Sequence, residues 1–278
     1  MAPSVQAISH PPAVISAHVS AAQPLVWLEN GWRDFRDNPG PSIVQGILLV
    51  GMGWLILLFC SAKPGLLAAA VSGFLLVGPV FAAGFYELSR LRAAGGKPTL
   101  DQAIQGAAGN LGSLAGLGLV LAVLTVAWAW LSSMLFERAV GPGMASPQYS
   151  SYQTVVDWNI GTSFLLTYLL TGVVLAVLAF VLSAVAAPML FERRVSTADA
   201  MFASVKVALA NPAAMVVWAL LIAALTALGF ATMLLGLIVI LPVLGHATWH
   251  AYRDLVGGDA RDSVQARQGP GAGFWDVH

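Results

Sequence analysis

Ala213 to Gly245, AAMVVWALLIAALTALGFATMLLGLIVILPVLG, contains no charged residue. A single helix of that length, rising 1.5 Å per residue, would be about 50 Å long, whereas the hydrocarbon core of a bilayer is ~30 Å thick. The run therefore reads as two tight crossings joined near Phe230 to Met233. Its far end, LPVLGHATWHAYRDL at Leu241 to Leu255, is where the apolar sequence meets water.

Outward from this stretch the pattern repeats. Ser42 to Cys60, Gly65 to Phe85, Ser113 to Phe136 and Gly161 to Phe191 are further runs without charge. The last is long for one crossing, so tilt or protrusion past Pro188 is expected to absorb the excess. The composition agrees: 58% of the 278 residues are hydrophobic and 9% are charged, against about 25% charged in soluble domains. The reading is an all-α membrane protein with six transmembrane helices arranged as three hairpins. The spans fall at about 42–60, 65–85, 113–136, 161–191, 213–231 and 234–252. Residues 24–256 form the membrane domain, between a disordered leader (1–23) and a disordered tail (257–278). The first 22 residues lack the charged start and unbroken apolar core of a secretory signal.

Charge sets the orientation. In a six-span reading, eleven of the thirteen Lys and Arg residues fall on one side, and only Lys63 and Arg138 fall on the other. The positive-inside rule then puts both termini in the cytoplasm. Five spans would move Arg253, Arg261 and Arg267 outside and weaken that asymmetry. The equal numbers of acids and bases give no basic excess, so nucleic acid is not an expected partner. The lone Cys60 excludes an intrachain disulfide framework.

A short amphipathic segment precedes each hairpin. In PLVWLENGWRDFRD, Pro24 to Asp37, the residues Leu25, Leu28, Trp32 and Phe35 share one helical face. This suits the membrane interface. Thr99 with Gln102 has capping-box spacing, and Ser196 or Thr197 starts the third segment. Each segment ends at an asparagine: Asn38, Asn110 and Asn211 are the joints. The even-numbered spans carry Pro79, Pro188 and Pro242, and eight residues beyond the first and last of these stand Glu87 and His250. Three parallel repeats imply a pseudo-symmetry axis along the membrane normal. The plainer alternative is that Asn-Pro is a common helix stop.

PGPSIVQGILLV, VSGFLLVGPVFAAGFYELSR, the NLGSL joint and above all GHATWHAYRDLV resemble a bacterial family of integral membrane proteins catalogued as domain of unknown function 2189. The resemblance covers about Trp27 to Val256. It implies the inner membrane of a bacterium and no assigned activity. Some members are likened to cytochrome c oxidase subunit I, which needs histidine ligands within its spans for haems and copper. This chain has only His246 and His250 there, so a catalytic oxidase is set aside.

His246 and His250 are one helical turn apart, with Arg253 on the same stripe. Such a pair can bind a metal or ligate haem. Tyr86, Glu87 and Glu192 stand at the equivalent level on the second and fourth spans and would join them around a common axis. Ionisable groups at membrane depth are functional candidates. The structural alternative makes His250 an interface anchor and His246 a helix-to-helix hydrogen bond. No phosphate loop, zinc-protease helix or nucleophile elbow is present. The expected function is a non-enzymatic accessory or assembly protein of a larger membrane complex, in contact with the lipid bilayer and without a cofactor. The alternatives are a small transporter or channel for an ion or lipid, and a metal- or haem-binding protein using His246 and His250.

Overall fold

The computed structural model describes residues 19–60, 81–140 and 162–256, together with 70, 71, 74, 78 and 79. Most of the leader, the Lys63-Pro64 turn, most of the second run, the Pro142–Trp158 stretch of the third loop and the tail lie outside the described residues. All regular structure among the described residues is helical. The helices are α1 (Gln23–Asp37), α2 (Pro39–Cys60), α3 (Ala83–Ala93), α4 (Leu100–Gly109), α5 (Leu111–Val140), α6 (Thr162–Ser183), α7 (Ala186–Glu192), α8 (Thr197–Ala210), α9 (Pro212–Ala231) and α10 (Leu237–Val256).

Local chemistry sets these boundaries. The Thr99 hydroxyl accepts from the Gln102 amide, and the Gln102 side chain returns to the Thr99 amide, so the capping box starts α4. Ser196 caps α8 by accepting from the Asp199 amide at 3.1 Å. Pro212 opens α9, where a missing N–H costs nothing. Between α9 and α10 the chain reverses through Met233 and Leu234, with φ of 54° and 68°. Residues 213–252 are therefore two helices.

Among the described residues, four helical segments are long and apolar enough to cross a membrane: Pro39–Cys60, Leu111–Leu135, Ser163–Glu192 and Pro212–Ala231. Helix α10 is as long as α9 but differs in kind. Its second half carries His246, His250, Arg253 and Asp254, and is largely buried in protein.

The fourth run carries a break near its end: Ala184 and Val185 form a turn between α6 and α7. Pro188 cannot donate to the carbonyl of Ala184, four residues back, which favours a break there. Ser204 of α8 repairs the break, donating to the Val181 carbonyl at 2.7 Å and accepting from the Val185 amide at 3.2 Å.

Helix α1 buries a second face rather than its leucine stripe. Pro24, Trp27, Gly31, Asp34 and Phe35 are buried, whereas Leu25 and Trp32 are 56% and 44% exposed. Close approach decided this. A Cβ on Gly31 would collide with the Val243 carbonyl oxygen and with Ala247 on α10, so α1 turns its smallest residue inward and lets Trp27 pack edge-on against Trp218.

The main core lies where α1, α3, α7 and α8 meet the second half of α10. It includes Trp27, Tyr86, Leu190, Phe191, Val207, Trp249 and Tyr252.

A buried polar clasp as candidate functional site

Asp34 of α1 is buried and stands at the centre of a hydrogen-bonded chain. Its Oδ2 accepts from the Ser89 hydroxyl at 2.7 Å and from His250 Nε2 at 2.9 Å. Its Oδ1 accepts from Arg92 Nε at 2.9 Å. Arg92 also reaches Asp37 at the surface. Ser89 and Arg92 come from α3 and His250 from α10, so one carboxylate ties three helices together.

The directions of these bonds follow from what each group can donate. A carboxylate only accepts, so the Ser89 proton points at Asp34 and His250 carries its proton on Nε2. With its own proton committed, Ser89 can only accept from His246, whose Nδ1 lies 2.8 Å from the Ser89 oxygen. His246 is then a neutral Nδ1–H imidazole whose Nε2 accepts from Ser42, 3.0 Å away on α2. Ser42 has a second acceptor nearby, the Asn38 carbonyl at 3.3 Å. The line Ser42 to His246 to Ser89 to Asp34 runs one way, with both serines and His246 buried.

Burial alone would raise the Asp34 carboxyl. The hydrogen bonds from His250 and Ser89 and the charge of His250 outweigh it and hold the group below its ordinary range.

The residues singled out from the sequence do not gather in one place. His246 and His250 join the Asp34 chain. Arg253 Nη1 donates instead to Glu192 Oε1 at 2.7 Å, and Glu192 also accepts from the Tyr252 hydroxyl. Glu87 is buried and forms a two-pronged pair with Arg90, both bonds 2.7 Å. Tyr86 is buried edge-on to Phe191, with its hydroxyl donating to the Pro79 carbonyl at 3.4 Å. Among the described residues no three His, Cys, Asp or Glu side chains are grouped to hold a metal ion.

Each joint asparagine stands between two helices. Asn38 donates to the Pro98 carbonyl at 2.6 Å, Asn110 to Gly106 at 2.9 Å, and Asn211 accepts from the Val19 amide at 2.8 Å. Of the prolines, Pro188 lies in α7, Pro242 lies inside α10, and Pro79 lies at a helical position before α3.

Sequence reasoning missed Asp34, Ser89, Ser42 and Arg92. A usable signal existed for the first. Trp27, Gly31 and Asp34 follow i, i+4, i+7 spacing, which puts an acid on the same stripe as a glycine and a large aromatic. Ser42 and Ser89 carry no such mark, because only tertiary packing brings them to His246.

The clasp holds α1 onto α10, α2 and α3 through hydrogen bonds among Asp34, Ser89, Arg92, His250, His246 and Ser42. An apolar recess lined by Leu49, Val50, Phe230, Leu234 and Leu237 has no polar side chain among its lining residues. No curated protein and no solved structure matches the chain. With four helical segments of spanning length among the described residues, this is an integral membrane protein, and its residues 66–192 match the family described as "Predicted integral membrane protein (DUF2189)".

Proposed function

We propose that the protein is a non-enzymatic accessory or assembly protein of a membrane complex, built as six spans in three look-alike units with both termini cytoplasmic in a bacterial inner membrane. One observation carries this reading. Buried Asp34, Glu87 and His246 are each hydrogen-bonded within the protein, and aromatic side chains of Tyr86, Phe191, Trp249 and Tyr252 pack in the same core region. A transport path needs accessible polar groups along the spans. A catalytic site needs a concave polar pocket. The clasp supplies neither.

The packing supports the threefold reading. Helix α1 packs on α10, α4 on α3, and α8 on α7, while α3, α7 and α10 pack on one another. The outer helices follow head to tail. The end of α1 meets the approach to α4 through Asn38 and Pro98. The first turns of α5, which follows α4, meet the start of α8 where Gly116 faces Thr197. The end of α8 meets the approach to α1 through Asn211 and Val19.

Register agrees in two units. Asp34 and Gly106 each stand four residues before their asparagine, and they touch His250 and Glu87, each eight residues after its proline. The third unit departs: its equivalents are Val207, in the core, and Ser196, the α8 cap.

Gentle purification from the native membrane, with partner identification and metal analysis on one sample, tests the function. A stoichiometric partner is expected. A clean protein without a partner, or ion flux in liposomes, overturns the accessory reading. A bound metal or haem lost on His250→Ala would replace it with the third alternative.

A further inference from the structure

The outward faces of the three outer helices share a pattern. Six residues before the joint asparagines stand Trp32, Ile104 and Val205, and five before stand Arg33, Gln105 and Lys206. The first position is apolar in all three units. The second is a cation or an amide, and all three of these side chains are exposed. On α8 the lysine is flanked by Phe202 and Leu209, 67% and 75% exposed.

Large apolar side chains facing water are unfavourable by about 25 cal/mol per Å². Here they are continuous with the exposed apolar faces of the helices that follow. Beyond Leu209 come Val216 and Leu220 of α9, and beyond Trp32 come Val44, Ile47 and Leu48 of α2. The outer helices thus sit at the edge of the hydrocarbon-facing surface, where a bilayer has its headgroups. Tryptophan and phenylalanine suit that layer, and lysine or arginine stems can lie along the acyl boundary with the charge at phosphate level.

Charge separates this surface from a neutral one. Lys206 and Arg36 are exposed and make no ion pair among the described residues; Arg33 pairs only with Glu29 of its own helix, at 3.1 Å. Asp101 and Gln105 of α4 bond each other, so that unit offers no cation.

We propose that the outer face of α8, with Lys206 between Phe202 and Leu209, and that of α1, with Arg33 beside Trp32, bind the headgroups of anionic phospholipids. The proposal rests on the reading of α1, α4 and α8 as helices of one membrane interface. It does not depend on whether a partner complex exists.

The test uses the full chain in nanodiscs of phosphatidylcholine alone or mixed with phosphatidylglycerol. An environment-sensitive fluorophore on Phe202→Cys, in a Cys60→Ser background, should report an apolar surrounding and be quenched by lipids brominated near the headgroup. Native mass spectrometry of the detergent-released protein should show phosphatidylglycerol retained over phosphatidylcholine. Lys206→Gln and Arg33→Gln should each lower that preference by about five-fold, the effect expected for one cation at an anionic surface. Lys97→Gln, which removes a cation from the turn before α4, should leave it unchanged. A fluorophore at 202 reporting water overturns the proposal. So does an unchanged preference in the Lys206 and Arg33 variants, or an equal fall with Lys97→Gln. Shielding of position 202 in cells by a cross-linked protein instead of lipid also overturns it.

Discussion

Helices α6 and α7 come from one uncharged run and meet opposite fates. On α6, Leu165, Leu166, Leu169 and Leu170 are each more than half exposed. After a two-residue turn begins α7, where Ala186, Ala187, Leu190 and Phe191 are buried and Leu190 is 1% exposed. Apolarity gives both stretches the same signature but does not say which neighbour each residue meets, lipid or protein. The polar atoms tell the two apart. On α6 the Thr167 and Thr171 hydroxyls donate back to carbonyls four residues earlier, each at 2.8 Å, so the helix asks nothing of its surroundings. At the α6–α7 break the backbone turns to Ser204 of another helix.

The largest expected effect tests this contrast directly. Leu190→Ala should cost about 3 kcal/mol, as in a packed core. Leu170→Ala should cost under about 0.5 kcal/mol, because lipid or detergent fills the space. Unfolding by denaturant in mild detergent, run side by side, measures the difference; equal losses would erase the distinction between the two helices.

Next comes the clasp, the polar counterpart of α7. Asp34→Asn should cost about 2 kcal/mol, since it leaves Arg92 and His250 without their acceptor in a mostly buried position. The sign of its pH dependence follows from the lowered carboxyl. Asp34's contribution is fully present above its ordinary value of 3.8 and is lost as pH falls from there through the lowered native value. Melting curves of wild type and Asp34→Asn should therefore converge under acid and differ most near neutrality.

Ser204→Ala removes the two bonds that mend the break before α7, and a loss of about 1 kcal/mol is expected by the same denaturant assay. The smallest effect is a gain. Met233 has a positive φ and is 65% exposed, so Met233→Gly should relieve strain at little packing cost and stabilise by about 0.5 kcal/mol. A loss there would mean that the Met233 side chain makes contacts that matter more than its backbone geometry.

Much of the architecture was legible because it depends on local order. Charge-free runs, Pro and Asn at helix junctions, and the Thr99 and Ser196 caps act within a few residues of themselves. The split between α9 and α10 was legible for a different reason: a length limit set by the bilayer. The buried face of α1 was not legible, because helical periodicity picks out its leucine stripe equally well whether lipid or protein lies opposite. The histidine pair stood out by its rarity among apolar residues. Its partners did not, since Asp34, Ser42 and Ser89 are ordinary residues in their own segments.

By itself, then, the sequence determined most of the helical segments among the described residues, several of their ends, and that most of their surface is unfit for water. Those outcomes follow from dihedral preferences, capping and hydrophobicity, which act over one helical turn or are summed along one helix. Only the tertiary structure decided which apolar faces pack on protein, that Gly31 lets α1 approach α10 closely, and that the Asp34 carboxylate orients His246 through Ser89. Those outcomes need groups as many as 216 positions apart, as Asp34 and His250 are, to come within hydrogen-bond reach, and no pattern within a single segment encodes that meeting.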